Sequence, residues 1–193
     1  MIDIGFILQS ALLGVGLAMD AFSVSLANGL GDHKMRYGKM SLVAGLFAFF
    51  QALMPMLGWV CVHTLLEHFR AIEKFIPIIA LVLLLYIGGK LIYDSTKTKG
   101  DEAEPVKLTF PLLIAQAVAT SIDALSVGFT IAEYQLMAAL VSVLIIAAVT
   151  FPICFLGIAI GKKFGTHLAG GASLLGGGIL ITIGLWIFIR GFF

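Results

Sequence analysis

Two aspartates stand in stretches of sequence where a carboxylate is costly. Asp20 lies in Ala18-Met19-Asp20-Ala21-Phe22-Ser23-Val24, and Asp123 in Ser121-Ile122-Asp123-Ala124-Leu125-Ser126-Val127, both within long apolar runs. An acid at the centre of a lipid-embedded helix costs about 2.5–3.5 kcal/mol on insertion scales, so such residues pair with a partner, line a polar cavity or carry an ion path. The structural alternative is a carboxyl that hydrogen-bonds to a neighbouring helix and holds the two together. At helical spacings of three, four or seven, Gly16, Ser23 and Ala27 flank Asp20, and Ala119, Thr120, Ser126 and Thr130 flank Asp123. Hydroxyl oxygens beside a carboxylate suit a hard divalent cation that keeps part of its water. The Gly and Ala positions are read as close-packing sites between helices.

Another apolar run carries Gln51 and Met54 just before Pro55, and a later one carries Thr150 at the position matching Gln51. A proline inside a span frees a carbonyl one turn earlier, which can line a polar cavity. A thioether among oxygen ligands favours a transition metal over magnesium or calcium, although Met more often fills irregular core gaps. The candidate metal-contacting residues are therefore Asp20, Asp123, Ser23, Ser126, Gln51, Met54, Thr120 and Thr150. No catalytic constellation and no resident cofactor are expected.

The elements that must position these residues follow from composition. Of 193 residues, 60% are hydrophobic and 12% charged, against roughly 45–50% and 25% in soluble domains, and the mean hydropathy is +1.08. The solvent must be lipid. With about 20 residues needed per crossing, six spans are expected near Ile4–Ala27, Met40–Val62, Phe75–Ile92, Leu108–Ile131, Leu136–Ile160 and Ala169–Ile189. Connections are too short for a soluble domain. The first segment lacks a basic leader region and is read as retained. Lys34, Arg36, Lys39, Lys90, Lys97, Lys99, Lys107, Lys162 and Lys163 fall on one side, and Arg70, Lys74 and Arg190 on the other. By the positive-inside rule both termini lie outside the cytoplasm.

The segment Met19 to Val24 recurs as Ile122 to Val127, 103 residues later, and Gln51 to Gly58 is echoed by Thr150 to Gly157. A three-helix unit repeated once enters the membrane from opposite faces, because three is odd. The expected fold is thus an all-α integral membrane protein whose six transmembrane helices form two three-helix repeats in inverted topology. The repeats occupy 1–93 and 108–193, joined by a polar cytoplasmic linker at 94–107. Straight helices would set Asp20 and Asp123 roughly 10 Å apart in depth, at about 1.5 Å per residue. A net charge of +1 gives no reason to expect nucleic acid, and no nucleotide-binding loop is present. The bilayer is the expected partner, and the sequence also allows a homo-oligomer.

The two Asp segments, together with Phe50-Gln51-Ala52-Leu53-Met54-Pro55, resemble the bacterial manganese efflux pump family, MntP, over essentially the whole chain. The resemblance implies export of Mn2+ as the transported substrate across the inner membrane, with Asp20 and Asp123 as the transport-essential acids. Selectivity for manganese over another divalent cation rests on this resemblance. The expected mechanism is alternating access driven by an ion gradient, with no enzymatic activity. Competing readings are export of another divalent cation or an amino acid, a passive channel, and a thiol oxidoreductase using Cys61 and Cys154. No span holds a central Lys or Arg for an amino acid's carboxylate, and the two cysteines do not occupy matching repeat positions.

Overall fold

The computed structural model describes residues 3–64 and 108–167 continuously, and between them and the C-terminus residues 78, 81, 82, 85, 86, 88, 89, 92, 93, 178–182, 185 and 189. All regular structure among the described residues is helical. Helix α1 is Ile4–Gly31, α2 Tyr37–Thr64, α3 Phe110–Thr120, α4 Ile122–Thr130 and α5 Leu136–His167. Three of these, α1, α2 and α5, are long and apolar enough to cross a membrane, and α3 with α4 adds a fourth if the bent pair is one span. The expected spans Phe75–Ile92 and Ala169–Ile189 and the linker 94–107 fall largely or wholly outside the described residues.

Helix α1 starts where Asp3 caps it, its Oδ1 accepting the Phe6 N–H at 2.7 Å. The helices overrun the spans expected from hydropathy: α1 continues to Gly31, α2 begins at Tyr37, and α5 reaches His167. Hydropathy marks where the apolar surface ends, whereas a helix stops only where its backbone is capped. Large apolar side chains on their outer faces, such as Leu12, Phe49, Leu144 and Leu156, stay exposed, which suits lipid and would not suit water.

The pair α3 and α4 corrects the expectation of one helix over Leu108–Ile131. It is two helices bent by 40°, with Ser121 at φ −103° and ψ 3° between them. The cause is local. Thr120 Oγ1 donates to the carbonyls of Gln116 and Ala117 at 3.0 and 3.3 Å, and Ser121 Oγ to that of Ala117 at 2.6 Å. Hydroxyls bonding back to the preceding turn compete with the main-chain ladder and bend helices. The depth arithmetic for Asp123, which assumed a straight helix, therefore does not apply.

Helix α1 packs chiefly on α5, and α2 on α5 and α4, while α1 and α2 touch only lightly. The α1–α5 contacts climb together along both chains, so the helices are parallel. Ser10 Oγ meets Ser142 Oγ at 3.0 Å, and a Cβ added at Gly14 would lie 3.1 Å from Ile146 Cα. Further along, one at Gly157 would lie 2.9 Å from the Phe22 carbonyl oxygen, and one at Gly161 would collide with that of Leu26. Gly14 of α1 and Gly157 and Gly161 of α5 thus lie in the α1–α5 contact, where backbone meets backbone. The second close crossing joins α2 to α4. A Cβ at Gly58 would collide with the Leu125 carbonyl oxygen and stand 3.0 Å from Gly128 Cα.

These two crossings are related by the sequence repeat. Gly157 of α5 sits on Phe22 and Ser25 of α1, and Gly58 of α2 sits on Leu125 and Gly128 of α4. Phe22 and Ser25 become Leu125 and Gly128 on adding the same 103 residues that carry Asp20 onto Asp123. Each Asp-bearing helix is therefore gripped by a helix from the other half of the chain.

The turn between α1 and α2 is fastened to the end of α5. Asp32 and Lys39 form an ion pair at 2.8 Å, Lys162 Nζ donates to the Met35 carbonyl at 2.8 Å, and the same ammonium lies 5.3 Å from the centre of the Tyr37 ring. Buried Met35 and Met40 anchor this end to the core formed by Ala21, Val24, Ala27, Phe47, Leu113, Ala117 and Cys154.

Candidate ion path

Asp20 is half-buried in the middle of the unbroken α1, whereas Asp123 is exposed in the first turn of α4, directly after the break at Ser121. Asp123 Oδ1 accepts the Ala124 N–H at 2.9 Å. The same Ala124 N–H also donates to the Ser121 carbonyl at 3.1 Å, so the first turn after the break shares it between the main chain and the Asp123 carboxyl. The two acids occupy equivalent repeat positions in unlike settings.

Gln51 joins α2 to α1 at this level. Its Nε2 donates to the Leu17 carbonyl at 2.6 Å, while its Oε1 is buried with no hydrogen-bond partner. Pro55 stands one turn on and cannot donate to the carbonyl of Gln51, so residue 51 offers two oxygen acceptors. Thr150 reaches the same level from α5. The α1–α5 register set by Ser10 with Ser142 and Gly14 with Ile146 places it alongside Ala18, and its Oγ1 is buried without a partner. Buried polar atoms are nearly always paired, so two orphaned oxygens one turn from Asp20 mark a place built for something polar.

The other candidates are placed differently. Ser23 is half-buried and its hydroxyl donates to the Met19 carbonyl at 3.0 Å. Thr120 is buried, its hydroxyl engaged in the bend. Ser126 is exposed on α4 and Met54 half-buried on α2. Gln51 and Thr150 converge on the Asp20 segment of α1, while Thr120 and Ser126 stay with Asp123 on the bent pair α3–α4. Among the described residues there is no cluster of three or more His, Cys, Asp or Glu side chains.

Sequence reasoning missed two polar residues of the interior, Asn28 and Gln116, and a third orphan, Ser25. Asn28 Nδ2 donates to Gln116 Oε1 at 2.8 Å and Gln116 Nε2 donates back to Asn28 Oδ1 at 3.1 Å. Gln116 had a signal, a lone amide inside an apolar run; Asn28 looked like the start of a loop. The cysteines are both free, Cys154 in the core and Cys61 half-buried.

A sequence model of the family described as "Putative manganese efflux pump" matches residues 34–188. A protein of Clostridium botulinum strain Langeland named "Putative manganese efflux pump MntP 2" is 40% identical over 189 residues, covering 93% of this chain and 92% of its own. One from Ruminiclostridium cellulolyticum, named for the same pump, is 40% identical over 183 residues, covering 94% and 95%. A third, from Rippkaea orientalis, is 37% identical over 185 residues, covering 96% and 97%. No solved structure matches the chain.

Proposed function

The chain belongs to the MntP manganese efflux pump family, and from that footing we propose that it is a secondary transporter exporting Mn2+ from the bacterial cytoplasm across the inner membrane by alternating access. The observation that carries this reading is the paired crossing, Gly58 on Leu125 and Gly128, Gly157 on Phe22 and Ser25. Two helices bearing equivalent acids, each gripped by the opposite half, are what two inverted repeats rocking about a central site require.

The six-span topology is part of the proposal. Helices α1 and α5 run the same way, and the short connections 32–36 and 131–135 each reverse the chain. One further crossing is then needed between α2 and α3, which is where the third span is expected. Repeats of 1–93 and 108–193 joined at 94–107 follow, with both termini outside the cytoplasm.

In this reading Mn2+ enters from the cytoplasm and meets Asp20 with the oxygens of Gln51 and Thr150. It passes to Asp123 with Ser126 and Thr120 nearby, and leaves as the halves rock. Met54 on the proline-interrupted turn of α2 adds a softer ligand that favours manganese over magnesium. With no nucleotide motif in the sequence, uphill export draws on an ion gradient, a proton replacing the metal on the return step.

The test is metal uptake into inverted vesicles, comparing Mn2+ with Mg2+, Zn2+ and Cd2+ for the wild type, Asp20→Asn and Asp123→Asn. Selective Mn2+ uptake lost in either variant is expected. Wild-type vesicles that move no Mn2+, or variants that move it as well as the wild type, would overturn the proposal. Uptake that ignores a pH gradient under voltage clamp would remove the proton from the cycle.

A further inference from the structure

Resting on the transport reading, we infer that the reciprocal amide pair Asn28–Gln116 is the gate that closes the path between the two carboxylates and the side of the membrane bearing the α1–α2 turn. Three observations place it there. Asn28 lies eight residues beyond Asp20 along α1 and next to the turn at 32–36. Gln116 lies seven residues before Asp123 along span four, which runs in the opposite sense. Asn28 therefore sits about 12 Å from Asp20 along the unbroken α1, at about 1.5 Å per residue, and Gln116 lies before the bend that precedes Asp123, so the pair is on the same side of both acids. Both side chains are buried, and both hydrogen bonds run between α1 and α3.

The repeat supplies the contrast. The positions matching Asn28 and Gln116 across the 103-residue offset are Ile131 and Leu13, both apolar. One side of the path is thus latched by two directional hydrogen bonds, and the positions related to it on the other side have no polar latch. A buried amide that loses its mate keeps unsatisfied groups, and between membrane helices such pairs hold with modest strength. The latch is accordingly strong enough to define a closed state and weak enough to open during a transport cycle. It opens only if α1 and α3 separate, and the bend at Ser121 already uncouples α3 from α4. The amide pair is a positioning contact and takes no part in holding metal.

A native thiol reports on it. Cys154 packs in the same core as Ala27 of α1 and Ala117 of α3, the immediate neighbours of the two amides. With Cys61→Ser as background, Cys154 is labelled with a membrane-impermeant charged maleimide in sealed vesicles of each orientation, without metal, and Mn2+ uptake is measured on the same preparations. Asn28→Leu is expected to raise Cys154 labelling about tenfold, the order set by removing paired buried hydrogen bonds. The rise should be confined to the face bearing the α1–α2 turn, and the maximal Mn2+ rate should fall.

The exchanged double variant N28Q/Q116N keeps both amides and should return labelling to the wild-type rate, which a general loosening of the fold would not do. If Asn28→Leu does not accumulate as a monodisperse protein, Gln116→Met gives the same reading from the other helix. Unchanged labelling in these single variants, labelling raised equally from both faces, or no recovery in the exchanged variant overturns the gate. A wild type that moves no Mn2+ while Asn28→Leu still opens Cys154 from one face overturns the manganese reading and supports the gate.

Discussion

Gly58 and Gly128 meet with no side chain between them: a Cβ on Gly128 would stand 2.6 Å from Gly58 Cα. Close backbone approach replaces the hydrophobic drive that helices lack in lipid, and here it locks α2 to the Asp123-bearing α4. Gly128→Val is therefore expected to destabilise the protein by about 1–3 kcal/mol or more through overpacking. Gly16, with no atom within 4 Å of its would-be Cβ, should tolerate Ala. Thermal aggregation in mild detergent compares the two, and equal midpoints would refute the crossing as a packing constraint.

Gln51→Leu removes the bond to the Leu17 carbonyl and the orphaned Oε1 together. The structural loss is small, about 0.6 kcal/mol for an average interhelical hydrogen bond in a membrane protein. The transport loss should be much larger, tenfold or more if Oε1 faces the metal (roughly 1.4 kcal/mol per tenfold). Normal Mn2+ flux from a stable Gln51→Leu protein would take Gln51 out of the path.

Thr150 separates use from idleness still more sharply. Its hydroxyl is buried without a partner, so an idle Thr150 replaced by the near-isosteric Val should leave the protein equally or more stable. If the hydroxyl serves the ion, Thr150→Val keeps stability and lowers Mn2+ uptake, while Thr150→Ser retains uptake. The readout is uptake normalised to the amount of folded protein. A fall in both variants alike would point to packing instead.

Lys162 donates to the Met35 carbonyl and lies near the Tyr37 ring. Lys162→Met should lower the thermal midpoint by a few degrees, from about 1 kcal/mol of lost hydrogen bonding and cation–π attraction, and should increase proteolysis of the 32–36 turn. Unchanged cleavage would show that the turn is held by Met35 burial and the Asp32–Lys39 pair alone.

The spans that sequence reading located well are those whose apolar surface is uniform, α1, α2 and α5. Their ends were missed because Asn28 to Gly31 and Gly161 to His167 carry mostly polar or small residues while the backbone stays helical. The bend at Ser121 left no trace in hydropathy, since it comes from two hydroxyls choosing carbonyls one turn back. Of the candidate site, Asp20, Asp123, Gln51 and Thr150 were legible because polar groups in apolar runs are costly and because the repeat pairs them. The Asn28–Gln116 pair was not legible. The repeat is silent at both positions, and only the approach of α1 to α3 brings the two amides within reach.

The parallel seating of α1 on α5 has a consequence for how the chain is made. The mate of Ser10 is Ser142, so the first helix enters the bilayer before its main partner has been translated. At about 5–20 residues per second the wait is on the order of ten seconds. For that interval α1 lacks α5 beside it, and its glycine-lined face is covered by lipid or by the insertion machinery. Biogenesis therefore ends with a late docking step, in which the helices of the second half close around one inserted long before.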